Sequence, residues 1–595
     1  MPVLSPFFAT LPVLLLCFLA QRHGQTISSG GVLRGVGRAG FGAAKLVLLA
    51  PPLERLVAGA IQALPQAQSL SLAWMSTFAF TIQLYLVLSG VVDVWLGTRQ
   101  ARGKAVVEIF GAPFRAVNFG DSWRQWNLPL LHVLGGRGRT ASSFQHAVLS
   151  LTAVLIAVVI WRGASWGTAA WAVLHLLLLA VEHWRGRSVF APLPAPVCAA
   201  LTQAVVLVSG VFLFMPGLGE SWDHVRRLVI APPPSWYSLL LDARLSTPLP
   251  MWCLWLSGLS CVALPPVRWV LAQAPRIFGV TGILSGLLAG TMLVRYLPEP
   301  AVRPLAVIRH GVQWPLTLGL REGNAEVFVG HEGWLCRQRD LDRLTLRDQG
   351  GSAAARLVAL ADALRGARVP LLVIAVPDKA ALYPEYVLPR RYHAPVNPMF
   401  FPPALERLRK AKITVLDASD LLWQAQKRMP IYFRLDSHWT PEGMKEVALA
   451  AGQLIRTQWP QVIINQTPLI NVSILERGDA GDLSRRLDPW APESLWGEEM
   501  AELVSISGLE STLDAPVLVL GGSLIHVFDD PRLSFGNTEG QRQSASFMQQ
   551  LAALLGRPLA HGPAVEEMGP EGLEQAVRSA QEKRLVIAVL RAGDL

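Results

Sequence analysis

In FRLDSHWTPEG, residues 433–443, Asp436 and His438 stand two apart. A carboxylate beside an imidazole is the base half of a nucleophilic acyl-transfer site. The carboxylate fixes the ring tautomer, and the ring takes a proton from a serine. On an extended segment residues i and i+2 point to the same side, which would bring the two together. The plainer alternatives are a turn or helix N-cap for Asp436 and a surface position for His438. APVLVLGGSLI, residues 515–525, offers the nucleophile: a β-branched run, then Gly521, Gly522 and Ser523. Active residues of open α/β sheets collect at the carboxyl ends of strands, which would put Ser523 at the mouth of the sheet. Two glycines would permit a tight turn and let backbone N–H groups, that of Gly522 among them, approach a developing oxyanion.

These residues need a scaffold. VPLLVIAVP (369–377), ITVLD (413–417), APVLVLGG (515–522) and RLVIAVL (584–590) read as short buried strands. Helical patterns lie between them, at 352–366 and 442–456. Strands alternating with helices predict a parallel sheet covered on both faces.

The first half of the chain differs. The 595 residues are 51% hydrophobic with mean hydropathy +0.36, too apolar for an ordinary soluble protein. The excess lies in residues 1 to about 300, in apolar runs near 3–20, 43–62, 71–96, 145–161, 166–182, 197–215, 249–264 and 277–297. We expect seven or eight membrane segments, the first of them uncleaved. RYLPEPAVRPLAVIRHGVQWP, 295–315, ends the last run. The expected organisation is a membrane domain over 1–300, a linker over 301–319 and an α/β/α domain over 320–595.

The formal charge is +10, and Arg99, Arg102, Lys104, Arg137, Arg139, Arg185 and Arg187 lie between apolar runs. That placement suits anionic lipid headgroups better than nucleic acid. The five cysteines show no metal-ligand or disulfide spacing.

GHEGWLCRQRDL (330–341), VPDKAALYPEYVLP (376–389), DSHWTPEG (436–443) and LVLGGSL (518–524) follow one another in order. This series resembles the AlgJ/AlgX-like alginate O-acetylation proteins of the SGNH-hydrolase-like superfamily. The resemblance covers about 320–595. It implies Ser523 as nucleophile, His438 as base and Asp436 as its orienter. Gly522 departs from the Asp such families often carry before the serine. Asn537 and Arg542 are candidate oxyanion or sugar contacts.

FTIQLYLVLSGVVDVWLG (80–97), APFRAVNFGDSWRQWNL (112–128) and WRGASWGTAAWAVLHLLLLAVEHW (161–184) form a second set. They resemble part of the AlgI-like membrane-bound O-acyltransferases, over about 40–265. Asn127 and Arg162 stand where that family carries histidines, and His175 remains. An intramembrane histidine or arginine is a functional candidate. His175 as a packing hydrogen bond and Arg162 as a snorkelling cation are the plainer readings. The resemblance implies a truncated, degenerate acyltransferase module.

Together the two resemblances imply a multi-pass inner-membrane protein with a periplasmic domain that O-acetylates a secreted alginate-like or cellulose-like polysaccharide. Expected partners are the polymer, membrane lipid and other exopolysaccharide biosynthesis proteins, without nucleic acid. No resident cofactor or metal is expected. The acetyl group, from a donor such as acetyl-CoA, would arrive through a membrane partner. An acetyl-esterase with the same triad and a scaffold that recruits a complete acyltransferase are the alternatives.

Overall fold

The computed structural model describes residues 31–126, 165–263, 275–293, 306–345, 353–388, 390–464, 470–488, 490–530, 532–536 and 544–595. The expected segments 3–20 and 145–161 lie outside these residues, as do Asn127, Arg162, Asn537 and Arg542. The chain divides into two compact units, Met1–Val312 and Gln313–Leu595.

The first unit is helical. Among the described residues, helices Leu70–Ala101, Trp166–Arg185, Ala195–Phe214 and Arg276–Leu293 are long and apolar enough to cross a membrane. The expected segment at 43–62 lies within one continuous helical run, Val32–Ala44, Lys45–Leu49 and Ala50–Gln62, and that at 249–264 is helical over Pro248–Ala263, where the described stretch ends. Helix Val32–Ala44 packs with its backbone against two neighbours. A Cβ on Gly37 would meet Gly279 Cα at 2.5 Å, and one on Gly97 would meet the Ala39 nitrogen at 2.5 Å. Small residues permit this approach between apolar helices. Within that packing the buried Arg38 donates to Asp93 at 2.9 Å and to both oxygens of Glu108 at 2.7 Å. Lys45 donates to the other Asp93 oxygen at 2.7 Å. Two cations meet two anions, which is how charges persist in such surroundings.

In the second unit nine strands are described: β1 (Val327–Val329), β2 (Leu335–Arg337), β3 (Leu371–Val376), β4 (Thr414–Asp417), β5 (Asn471–Asp479), β6 (Glu499–Ser507), β7 (Val517–Gly521), β8 (Ala560–Gly562) and β9 (Leu585–Arg591). β1 pairs with β2 and β5 with β6, both antiparallel. The other five form one parallel sheet in the order β4-β3-β9-β7-β8. The four expected strands are β3, β4, β7 and β9. β8, only Ala-His-Gly, has too little apolar length to show in the sequence.

Alternation along the strands sorts the core into two faces. Ile374, Val519 and Ile587 pack with Trp439, Met444 and Val447 on one face. Val373, Leu518 and Ala588 pack with Leu357, Leu405 and Ala576 on the other. Covered on both faces, the sheet can be apolar throughout, as parallel sheets are. All five strands run the same way, so their carboxyl ends share one edge. Lys379 follows β3, Ser523 follows β7, and Arg591 closes β9 at that edge.

Candidate active site

Asp436 and His438 come from a bend, not an extended strand. Residues 434–438 form a series of bends closed by a bridge between Tyr432 and Trp439. One oxygen of Asp436 accepts from the His438 backbone N–H at 2.8 Å and sits 2.7 Å from His438 Nδ1. Asp436 is thus both a turn residue and a ring partner, and the two readings of it are one geometry. Its other oxygen accepts from the Asp482 N–H at 2.8 Å. Burial pushes the Asp436 carboxyl up. The charge and hydrogen bond of His438, with Ser534 and the Asp482 amide, outweigh that and hold it far below the usual carboxylate range. With Nδ1 held by the carboxylate, Nε2 is the nitrogen left for proton transfer.

The bend is clamped from several elements. Glu499 accepts from the Arg434 and Leu435 N–H groups at 2.8 and 2.6 Å. The Arg434 carbonyl accepts from the Leu335 N–H at 3.0 Å and from Lys379 Nζ at 2.7 Å. Lys379 Nζ also donates to the Asp436 carbonyl at 3.0 Å. Arg591 donates to the Ser437 carbonyl at 2.9 Å. Asp482 accepts from Ser437 N at 2.7 Å and Ser437 Oγ at 2.9 Å. Gly481, at φ +83°, lies where a Cβ would meet the Leu435 carbonyl oxygen at 2.3 Å. There glycine is required by both conformation and space. The GWL, VP-x-K and D-x-HW segments therefore converge on one loop.

Ser523 follows Gly522 at the start of the short helix Ser523–His526 and is half-buried. Gly522 has φ −102°, and neither Gly521 nor Gly522 has a positive φ, so the turn does not depend on glycine conformation as expected. Trp439, fully buried, donates its indole N–H to the Leu524 carbonyl at 3.1 Å and stacks on Phe547. The residues next to His438 and Ser523 are thereby bonded to each other. Among the described residues, the Ser523 hydroxyl makes no hydrogen bond to His438. Such contacts commonly tighten only with substrate. His526, one turn on from Ser523, faces His561 with Nε2 atoms 2.9 Å apart. The nearby Asp529 carboxylate is taken by Ser544 Oγ and the Ala545 N–H, so His526 lacks the orienting carboxylate that His438 has.

Asp436, His438 and Asp482 hold ligand atoms within 4.8 Å of one another. Each of these atoms is committed to the hydrogen bonds just given, so the cluster is a hydrogen-bonded array. Sequence reasoning missed Lys379, Asp482, Glu499 and Arg591. Lys379 lay in a quoted motif. The others act from distant segments and carry no local signal.

In the helical unit, His175 is buried with both ring nitrogens engaged. Nδ1 accepts from Trp123 Nε1 at 3.2 Å, which leaves the proton on Nε2, 3.0 Å from Ser209 Oγ. Ser209 in turn donates to the Val206 carbonyl at 2.9 Å.

Residues 327–561 match the family described as SGNH hydrolase-like domain, acetyltransferase AlgX. Over 279 residues the chain is 27% identical to the probable alginate O-acetylase AlgJ of Pseudomonas aeruginosa, covering 46% of this chain and 68% of that protein. Over 159 residues it is 26% identical to the probable alginate O-acetylase AlgI of the same organism, covering 25% of this chain and 30% of that protein. Over 129 residues it is 29% identical to a peptidoglycan O-acetyltransferase of Helicobacter pylori, covering 20% and 24%. The chain thus spans less than a third of the AlgI protein it matches. The solved O-acetyltransferase domain of Pseudomonas putida AlgJ aligns at TM-score 0.34 and 17% identity, covering 45% of this chain and 91% of that one. Residues 327–561 thus match an AlgX-type SGNH-like domain, and the chain is similar to both AlgJ and AlgI, the latter supporting in part the expected resemblance to a membrane-bound O-acyltransferase module.

Proposed function

We propose that this protein O-acetylates a secreted polysaccharide through an acetyl-enzyme on Ser523. His438 Nε2 takes the hydroxyl proton as Ser523 Oγ attacks the donor carbonyl. The donor's leaving group departs with that proton. A sugar hydroxyl then attacks the acetyl-serine, giving its proton to His438, and Ser523 leaves protonated. Asp436 holds the ring in the productive tautomer and stabilises the imidazolium. Excluding water favours transfer over hydrolysis. The acetyl group comes from a donor such as acetyl-CoA through a membrane partner. The second unit faces the periplasm, and the helical unit sits in the inner membrane beside other exopolysaccharide biosynthesis proteins.

The observation that carries this reading is the buried Asp436–His438 pair at 2.7 Å, held beside the Ser523 turn by Trp439. The test is the acetyl content of surface polymer in cells with the full chain or Ser523→Ala. Loss of polymer acetyl at equal protein level is expected. Unchanged acetylation sinks the nucleophile assignment. In the purified chain, transfer to oligosaccharide against acetate release separates a transferase from an esterase.

The helical unit takes a second reading, as anchor and recruiting surface. It is favoured by His175, whose two ring nitrogens are already hydrogen-bonded to Trp123 and Ser209.

A further inference from the structure

Lys379 is an ammonium with about 1% of its surface exposed, placed behind the base rather than in front of it. It leaves the carboxyl end of β3 and passes under the bend at 434–438. Its two hydrogen bonds go to main-chain carbonyls, those of Arg434 and Asp436. The Trp334 ring lies 5.1 Å from Nζ, and Tyr386 stacks on that ring at 4.2 Å. Burying a lysine costs several kcal/mol unless its charge is answered. The answering groups come from every element around it. Glu499 stands on β6, Asp436 on the bend, Asp482 on the helix Asp482–Leu487, and Cys336 on β2. Arg591, on β9, is the second cation, and it reaches the next carbonyl along, that of Ser437. Asp378 precedes Lys379 on the same loop, where its carboxylate accepts from the Gly593 N–H. Near the Asp436–His438 pair, then, three carboxylates (Asp436, Asp482 and Glu499) face three cations (Lys379, Arg591 and Arg486, whose Nε lies 3.6 Å from Asp482) and one imidazole.

We propose that Lys379 is a positioning residue for the acyl-transfer reaction. It holds the Asp436 and Arg434 carbonyls so that the carboxylate meets His438, and its charge offsets the carboxylates gathered around the imidazole. The inference rests on the Ser523–His438–Asp436 reading and adds a residue that touches none of the reacting atoms. A merely structural lysine would fix the loop without changing the pH at which the base becomes available. A charge-balancing one must change it. Burial pulls the Lys379 ammonium below the usual lysine range, and the four surrounding groups oppose that only in part.

The test measures sulfonylation of Ser523 by phenylmethylsulfonyl fluoride in the full detergent-solubilised chain, read by peptide mass spectrometry across the pH range of imidazole titration. This probe needs an activated serine and no sugar acceptor. In Lys379→Met the acid limb of the labelling rate is expected to rise by about one pH unit, because loss of a cation eases protonation of His438. The plateau is expected to fall about tenfold as the loop loosens. Glu499→Gln removes an anion from the same cluster, and its acid limb should move to lower pH. That opposite sign decides the matter if Lys379→Met fails to show a native thermal transition. Limbs that stay at the wild-type pH in a folded variant overturn the charge role. A wild-type Ser523 that does not react with the probe overturns the triad reading and this proposal together, whereas a reactive wild type with unshifted variants overturns this proposal alone.

Discussion

The indole N–H of Trp439 donates to the carbonyl of Leu524 across 3.1 Å, joining the residue after His438 to the residue after Ser523. These positions are 85 apart in sequence and share no element. The bond sets the reach between His438 and Ser523. Trp439→Phe keeps an aromatic against Phe547 but leaves the Leu524 carbonyl buried without its donor. We expect a stability loss of about 1–3 kcal/mol and a kcat about tenfold lower with KM little changed. Thermal unfolding and ester turnover read the two effects. A folded variant with full kcat shows that the clamp does not position the site.

Asp436→Asn keeps the shape of the bend but allows the wrong ring tautomer. In serine hydrolases such a loss costs about 10⁴ in kcat. The same carboxyl contributes to acid stability. Its folded value lies below that of the unfolded chain, so its contribution is present above about pH 4 and fades as pH falls through the lower folded value. Unfolding curves at descending pH should show a shallower acid loss in the Asn variant.

Asp378 behaves in the opposite sense. Burial, with the Asp340 charge beside it, pushes its carboxyl up to about 7, against Arg337, Arg343 and Arg591. A raised carboxyl binds a proton in the folded state that the unfolded chain releases near pH 4. Its cost therefore appears between about pH 4 and 7 and is complete above. Asp378→Asn, whose amide oxygen can still accept from Gly593, should raise the unfolding temperature at pH 8 more than at pH 5. Equal shifts at both pH values remove Asp378 as the source.

Arg38→Met should lower the amount of protein in the membrane fraction. It strands Glu108 and half of Asp93 in a packed interior, a change typically worth about 3–5 kcal/mol. Adding Glu108→Gln leaves Lys45 opposite Asp93 and should recover much of the level. A double variant no better than the single would show that the charges are not coupled.

His175→Ala should leave polymer acetylation largely intact at equal protein level, since both ring nitrogens serve Trp123 and Ser209. A normal membrane level with no polymer acetyl would mean that the helical unit performs an acyl transfer of its own.

The sheet and the Asp436–His438 contact were legible because both are written locally. β3, β7 and β9 are continuous β-branched runs, and Asp436 lies two residues from His438. The form of their contact was not legible: an Asx-type bend replaces the extended segment, because the His438 N–H as well as the ring is drawn to one carboxylate oxygen. Nor were the clamps. Glu499, Asp482 and Arg591 reach the loop from 65, 45 and 154 positions away, and spacing along a chain carries no trace of such meetings.

β9 comes after every other strand of the sheet in the chain, yet it lies between β3 and β7. On the ribosome, then, the pairs β4-β3 and β7-β8 emerge as two separate ribbons with bare hydrogen-bonding edges. Nothing can join them until residues 585–591 have been made. Arg591, which holds the Ser437 carbonyl, arrives with that same strand. Closure of the sheet therefore also brings the Arg591 contact to the bend that carries His438. A nascent chain halted before residue 585 presents two open edges of the kind that aggregate.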